Sequence, residues 1–189
     1  MRFQLETERL MLRELQKFDI DFVAEMLADP EVMRFYPKCY SREEAQDWLD
    51  RNLKRYAETG HGLWLVSDRV TGDPIGQVGV VAQEIIAPQL EMPSSQYEAS
   101  SLTLQHIIEI GYLIHRPYWQ RGYASEAALA CRDWAFLNLP VDSLYSLIKA
   151  ENLPSQGVAR KIGMTPLTDS VGYKGLDVML FHIARTAVS

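Results

Sequence analysis

Two small residues, Gly122 and Ala124, sit in the run Gln120-Arg121-Gly122-Tyr123-Ala124-Ser125, where a strand-like pattern gives way to a helical one. A helix that opens here leaves backbone N–H groups without partners and carries the positive end of its macrodipole, which is the chemistry that holds phosphate. Gly122 has no Cβ to block an approaching phosphate, and Ala124 is the next smallest choice. An ordinary strand-to-helix turn would use glycine in the same way, so this pair alone leaves both readings open.

The elements that must position the turn lie on either side of it. Ile108, Ile110, Tyr112 and Ile114 alternate with Glu109, Gly111, Leu113 and His115, the two-residue period of a buried strand, and Pro117 stops it. From Tyr123 onward the period is helical: Ala124, Ala128, Cys131 and Ala135 recur, with Ala127, Ala130, Trp134 and Leu137 in the adjoining positions. Pro140 breaks the chain, Ser143 to Ala150 has the pattern of a further strand, and Asn152 and Ser155 can cap a helix after it.

The whole run from Glu109 to Ala127, EIGYLIHRPYWQRGYASEA, resembles the acyl-coenzyme A binding motif of the GNAT superfamily of N-acetyltransferases. Its usual form is Gln or Arg, two residues, Gly, any residue, then Gly or Ala; Trp119 takes the first position here. The stretch Tyr118 to Ala127 is similar to the branch that includes ribosomal-protein α-amino acetyltransferases. ETERLMLREL, GLWLVSDRVTGDPIGQVGV and ENLPSQGVARKIGM resemble that family's first strand, its second and third strands, and its second signature. The resemblance covers Leu5 to Arg185 and implies a single α/β domain, a mixed and mostly antiparallel sheet of about six or seven strands with helices on both faces. It implies acetyl-CoA as the acetyl donor, no metal, and coenzyme contacts from Leu113, Ile114, Gln120, Arg121, Gly122, Tyr123, Ala124, Ser125, Asn152 and Ser155. The acceptor is then a small-molecule amine or a protein N-terminal amine. Phe35 and Tyr36, in the aromatic connection Glu31 to Tyr40, fall where the family lines the acceptor side of its cleft; they could equally plug the core beneath a loop.

Acetyl transfer to an amine needs a base, because a protonated amine cannot attack, and a donor for the thioester oxygen. By resemblance, a backbone N–H near Leu113 or Ile114 serves the oxygen. Glu109 is the candidate base: it shares a strand face with Gly111 and Leu113, and partial burial raises a carboxyl pKa toward usefulness. Its alternative role is structural, orienting a neighbouring loop. His115 is a further candidate. Many enzymes of the family place a tyrosine at the position held here by Ala159, where it protonates the departing thiolate. Ser155, or a water, must do this instead, and a thiol with a pKa near ~8.5 leaves tolerably well.

The rest of the chain fits one domain over residues 1–189. Its 189 residues are 47% hydrophobic, enough for a proper core. Leu5 to Glu14 reads as a first strand, Asp19 to Ala28 as a short helix, and Ser41 to Thr59 as an amphipathic helix with a Ser41/Glu44 capping box. Arg42, Arg51, Lys54 and Arg55 decorate the other faces of that helix and are expected in solvent. Gly62 to Ser67 and Ile75 to Gln83 form a hairpin, with Gly76 and Gly79 marking bulges or close backbone approach. Glu84 to His106 departs from the family pattern as an insertion, expected as a surface excursion; a long hairpin, a cover over the acceptor site and a dimer interface are the alternatives. Met164 to Leu167 and Leu176 to Ile183 are the last strands.

A net charge of −6 argues against general nucleic-acid binding. Two cysteines, Cys39 and Cys131, and four scattered histidines give no disulfide framework or metal spacing. MRFQLETERL has no hydrophobic signal core and no apolar run approaches ~20 residues, so a cytoplasmic protein without membrane partners is expected, with a homodimer left open. Three functions stay in view: an N-acetyltransferase, a non-catalytic acetyl-CoA-binding or sensing module, and a nucleotide phosphohydrolase. The last is disfavoured because no Gly-Lys-Ser/Thr follows the turn.

Overall fold

Thr7 divides the first expected strand. Its N–H donates to Leu10 O at 2.9 Å and its hydroxyl accepts from Leu10 N–H at 3.0 Å, which folds the chain back on itself. The result is a small hairpin of β1 (Gln4–Glu6) and β2 (Leu10–Arg13), with Leu10 and Leu12 buried. The computed structural model of the chain describes residues 3–87 and 103–185.

Three helices follow. α1 (Ile20–Ala28) buries Val23, Met26 and Leu27. Asp29 then accepts from Glu31 N–H at 2.8 Å and, with Pro30 behind it, starts the single turn α2 (Pro30–Met33). In α3 (Arg42–Thr59) the expected capping box is present: Ser41 Oγ accepts from Glu44 N–H and Glu44 Oε2 accepts from Ser41 N–H. Gly60, at φ 76°, closes the far end.

The sheet continues through β3 (Leu63–Asp68), β4 (Pro74–Ala87), β5 (Thr103–Ile114), β6 (Ser143–Ile148), β7 (Thr165–Tyr173) and β8 (Leu176–Ala184). α4 (Tyr123–Asn138) and α5 (Leu153–Lys161) flank β6 in sequence. The strands lie in the order β1-β2-β3-β4-β5-β6-β8-β7, eight among the described residues, one more than the upper expectation because the first strand is split. Every neighbouring pair is antiparallel except β5 and β6. α1 to α3 cover one face, where Leu27, Leu49 and Leu65 are buried together; α4 and α5 cover the other, over Ile110, Cys131 and Ala159. Leu137, expected to help fill the helix's packed side, is 85% exposed.

β4 and β5 pair without interruption from Gly76 opposite Ile114 to Ala87 opposite Thr103. The ends of the expected insertion, 84–87 and 103–106, are therefore strand. Residues 88–102, which hold the rest of it, lie outside the described residues. The lengthened β4 meets β7 at Ile86 opposite Gly172, so β4, β5, β6, β8 and β7 close a circuit around Ile85, Ile107, Val171, Val178 and Leu180. β7 runs well past the expected Leu167. Its Thr168-Asp169-Ser170 run has no apolar alternation to announce a strand, and pairing with β8 holds it through two register shifts.

Gly79 shows why glycine stands inside β4. A Cβ there would lie 2.0 Å from Gly62 O and 2.8 Å from Leu63 Cα, both backbone atoms that cannot move aside. Gly79→Ala is expected to cost about 3 kcal/mol by overpacking, read as a lower denaturant midpoint at unchanged slope. An unchanged midpoint would show that β3 and β4 can separate at no cost.

Candidate active site

β5 and β6 part after a single bridge. Glu109 pairs with Tyr145, and among the described residues no later part of β5 pairs with β6. Side chains meet some of the carbonyls this leaves: Ser146 Oγ donates to Ile110 O at 2.8 Å, and Trp119 Nε1 donates to Ile114 O at 2.6 Å. On the opposite side, His115 N–H donates to Ile75 O at 2.9 Å. Backbone groups alternate along a strand, so those of Ile110, Tyr112 and Ile114 face the open edge while those of Leu113 face β4. The gap opens into a cleft of about 840 Å³ reached by residues from both faces of the sheet.

One wall of the cleft is the start of α4. Gly122, at φ 80°, is the residue before its first turn, and Gln120, Gly122, Tyr123, Ala124 and Ser125 all line the cavity. Arg121 does not: its side chain is exposed, with the guanidinium 5.6 Å from the Tyr118 ring centroid. Residues from the first hairpin hold this turn in place. Glu126 accepts from Thr7 Oγ1 at 2.6 Å, from Arg9 N–H at 2.9 Å and from Arg9 Nε at 2.6 Å. Arg9 Nη1 also donates to Arg121 O at 3.0 Å, and the guanidinium lies 4.7 Å from the Tyr123 ring centroid. Burial of Glu126 opposes its charge, yet the bonds from Thr7 and Arg9 hold its carboxyl below the ordinary range. Thr7 and Glu126 are 119 positions apart, which is why the sequence offered no sign of this clasp.

Opposite, Asn152 Oδ1 accepts from Ser155 N–H at 3.2 Å and caps α5, and both residues line the cleft. Ala159 is fully buried. Beside it stands a phenol that sequence reasoning did not single out: Tyr112 donates its hydroxyl to Ser155 O at 2.7 Å and lines the same cavity. Burial first, and the Glu109 charge second, push the Tyr112 pKa up.

At the other end Glu109 lines the cavity wall, and its Oε2 accepts from Gln83 Nε2 at 2.8 Å. Burial raises its carboxyl above the ordinary value, partly opposed by the Gln83 bond and the charges of Lys174 and Arg55. Phe35 and Tyr36 line this end, and Tyr36 also packs against the core beneath it. Tyr36 and Tyr40 stand edge-on to Trp48 at 6.4 and 5.9 Å, and Trp48 Nε1 donates to Gln77 Oε1 at 2.9 Å. The expected solvated face of α3 holds only in part. Arg42 pairs with Asp21, Lys54 with Glu58, and Arg51 is exposed though it reaches the cleft, whereas Arg55 is partly buried in the cleft wall beside Lys174 from the β7–β8 turn. The sequence hint for them was weak, since charge on a helix flank ordinarily means solvent. His115 lies outside the cavity, its ring 5.7 Å from that of Phe22 and its Nε2 3.8 Å from Glu25 Oε1. Among the described residues no helix is long and apolar enough to cross a membrane.

This arrangement sets a helix start, an open strand edge and a carboxylate around one cleft. An acetyltransferase (GNAT) domain family matches residues 9–165. The uncharacterised protein YkkB of Bacillus subtilis is 33% identical over 162 residues, 85% of this chain and 84% of its own. An acetyltransferase from Agrobacterium tumefaciens superposes with a TM-score of 0.77 at 27% identity, over 97% of this chain and 95% of its own. A ribosomal L7/L12 α-N-protein acetyltransferase solved with coenzyme A has a TM-score of 0.70 at 14% identity, over 96% and 98% of the two chains, a likeness of fold.

Proposed function

The chain belongs to the acetyltransferase (GNAT) family and is an acyl-CoA-dependent N-acetyltransferase, and from that premise we propose that it passes acetyl directly to a primary amine within a ternary complex. The acceptor is a small-molecule amine or a protein N-terminal amine, and the protein works in the cytoplasm. The observation that carries the reading is the splayed β5–β6 edge, with a glycine-opened helix start on one side and a half-buried carboxylate on the other.

The residues fit acetyl-CoA. With no side chain at Gly122, the approach to the amides of Tyr123, Ala124 and Ser125 is open to phosphate, with Gln120 beside them. Arg121, outside the cavity lining, has its carbonyl held by Arg9 and is not part of this cradle. Asn152 and Ser155 cover the α5 side, where the Asn152 side chain already serves as the helix cap. Acetyl-CoA supplies the activated acetyl group. The strand groups facing the open edge belong to Tyr112 and Ile114, so their N–H groups, rather than that of Leu113, stabilise developing negative charge on an oxygen there. Leu113 supplies apolar wall from its side chain.

Glu109 removes the proton that makes the amine inert, its burial raising its pKa and with it its strength as a base. Ser155, backed by the Tyr112 hydroxyl on its carbonyl, returns a proton to the leaving thiolate in place of the side chain that Ala159 lacks. Phe35 and Tyr36 enclose the acceptor. Neither cysteine lines the cleft: Cys39 is exposed, and Cys131 is buried with its thiol pushed up by burial, so direct transfer is favoured over an acyl-cysteine.

Calorimetric titration with acetyl-CoA, followed by amine-dependent thiol release, tests the reading. Saturable binding, with initial-rate lines that intersect when both substrates vary, is expected. Binding without thiol release from any amine would leave a sensing module, and no binding by the folded protein would end the proposal.

A further inference from the structure

Three cations line the acceptor end of the cleft: Arg51 and Arg55 from α3, and Lys174 from the β7–β8 turn. Among the described residues none of them has a carboxylate within ion-pair distance, although their neighbours on α3, Arg42 and Lys54, both do. Arg51 lies 5.9 Å from the Trp48 ring centroid and Lys174 4.7 Å from that of Tyr173, contacts that orient the cations without neutralising them. Glu109 is the carboxylate set among them, and its field reaches both Arg55 and Lys174. Glu31 also lines the cleft but pairs with Arg34 at 4.0 Å, so Glu109 against three cations leaves this end positive in a chain whose net charge is −6.

Such a cluster is unfavourable on its own. Burial is the main influence holding Arg55 and Lys174 below their ordinary pKa values, and like charge adds to it: Arg55 acts on Lys174, and Arg51 acts on both. An anion between them would reverse both effects, and a polyamine would worsen them.

Resting on the acetyl-transfer reading above, we propose that the acceptor is a small amine carrying its own anionic group, an amino-acid-like molecule. Its carboxylate is held by Arg55, Lys174 and Arg51 while its amine reaches Glu109. A planar guanidinium suits a carboxylate through paired hydrogen bonds, and charge-assisted bonds of this kind discriminate strongly against an uncharged partner.

The test uses matched pairs: free amino acids against their carboxamides, and O-phosphoethanolamine against ethanolamine, with spermidine and a peptide with an acidic N terminus alongside. In the wild type, kcat/KM is expected to favour the anionic member of a pair by roughly tenfold to a hundredfold. The Arg55→Met/Lys174→Met double variant should bring each pair near parity, chiefly through KM, at unchanged acetyl-CoA affinity. The phosphate pair tells whether the site takes anions in general or carboxylates alone; either preference supports the proposal. Carboxamides or spermidine used as well as the free acids would overturn it while leaving acetyl transfer intact. A peptide preferred over every free amino acid would overturn it also. Should no amine release thiol, equilibrium binding of N-acetylated amino acids decides independently: binding lost in the double variant upholds the anion site, and no binding to the folded wild type overturns it.

Discussion

Glu109→Gln is expected to lower kcat/KM by about 10²- to 10³-fold, the usual range for losing a general base, while making the folded protein more stable. Both effects have one origin. The fold removes water from this carboxyl, and burial raises its pKa despite the hydrogen bond from Gln83. At pH below the unfolded value both states are protonated and the group costs nothing. As pH rises through the window between the unfolded and the raised folded pKa, the unfolded chain ionises first, and stability is progressively lost. The neutral amide removes that loss and can still accept from Gln83. The melting-temperature difference between variant and wild type should therefore be near zero in acid and grow toward neutral pH.

Turnover should run the opposite way. Wild-type kcat/KM falls as pH drops through the raised pKa, because a protonated Glu109 cannot accept a proton, whereas the variant's residual rate lacks that step. The conservative replacement Glu109→Asp keeps the charge on a shorter arm and should lie between the two. If Glu109→Gln turns over within threefold of wild type and simply melts higher, the carboxylate only orients Gln83 and the neighbouring strands, and the base must be sought elsewhere.

How far these expectations were legible depended on the distance over which each residue is determined. The Ser41/Glu44 box, the stop at Gly60, and the change of period between Ile114 and Tyr123 are local, and the structure places them where their spacing put them. The paired patterns of β5 and α4 carried the family resemblance, and with it most of the cleft: of the candidate site residues, all but Arg121 and His115 line it. The misses are matters of partnership. Whether Arg55 faces water or a cavity depends on Tyr173 and Lys174, which lie far along the chain and share the cleft with it. Tyr112 looked like any strand aromatic until α5 set Ser155 O against its hydroxyl. The split at Thr7 was hidden because Leu10 and Leu12 keep the strand period that the turn interrupts.

Gly122→Trp is expected to weaken acetyl-CoA binding by more than about a hundredfold without unfolding the chain. The position has φ 80°, a conformation that costs an L-residue roughly 1–2 kcal/mol, so any substitution loses some stability. A Cβ there meets only Arg9 Nη2, at 3.4 Å, and that atom sits at the end of a flexible side chain. The fold can absorb this change, whereas the cradle cannot, since an indole would occupy the approach to the amides at the start of α4. Gly122→Ala separates the two effects. It carries the same backbone strain but fills little space, so it should melt lower yet bind acetyl-CoA within about tenfold of wild type. Arg9 also matters to the interpretation, because Glu126 holds it and it supports the turn from outside. Were alanine and tryptophan to lose affinity equally, displacement of Arg9 or backbone strain would be the cause. Were the tryptophan variant to bind like wild type, the coenzyme phosphates would have to rest somewhere other than this helix start.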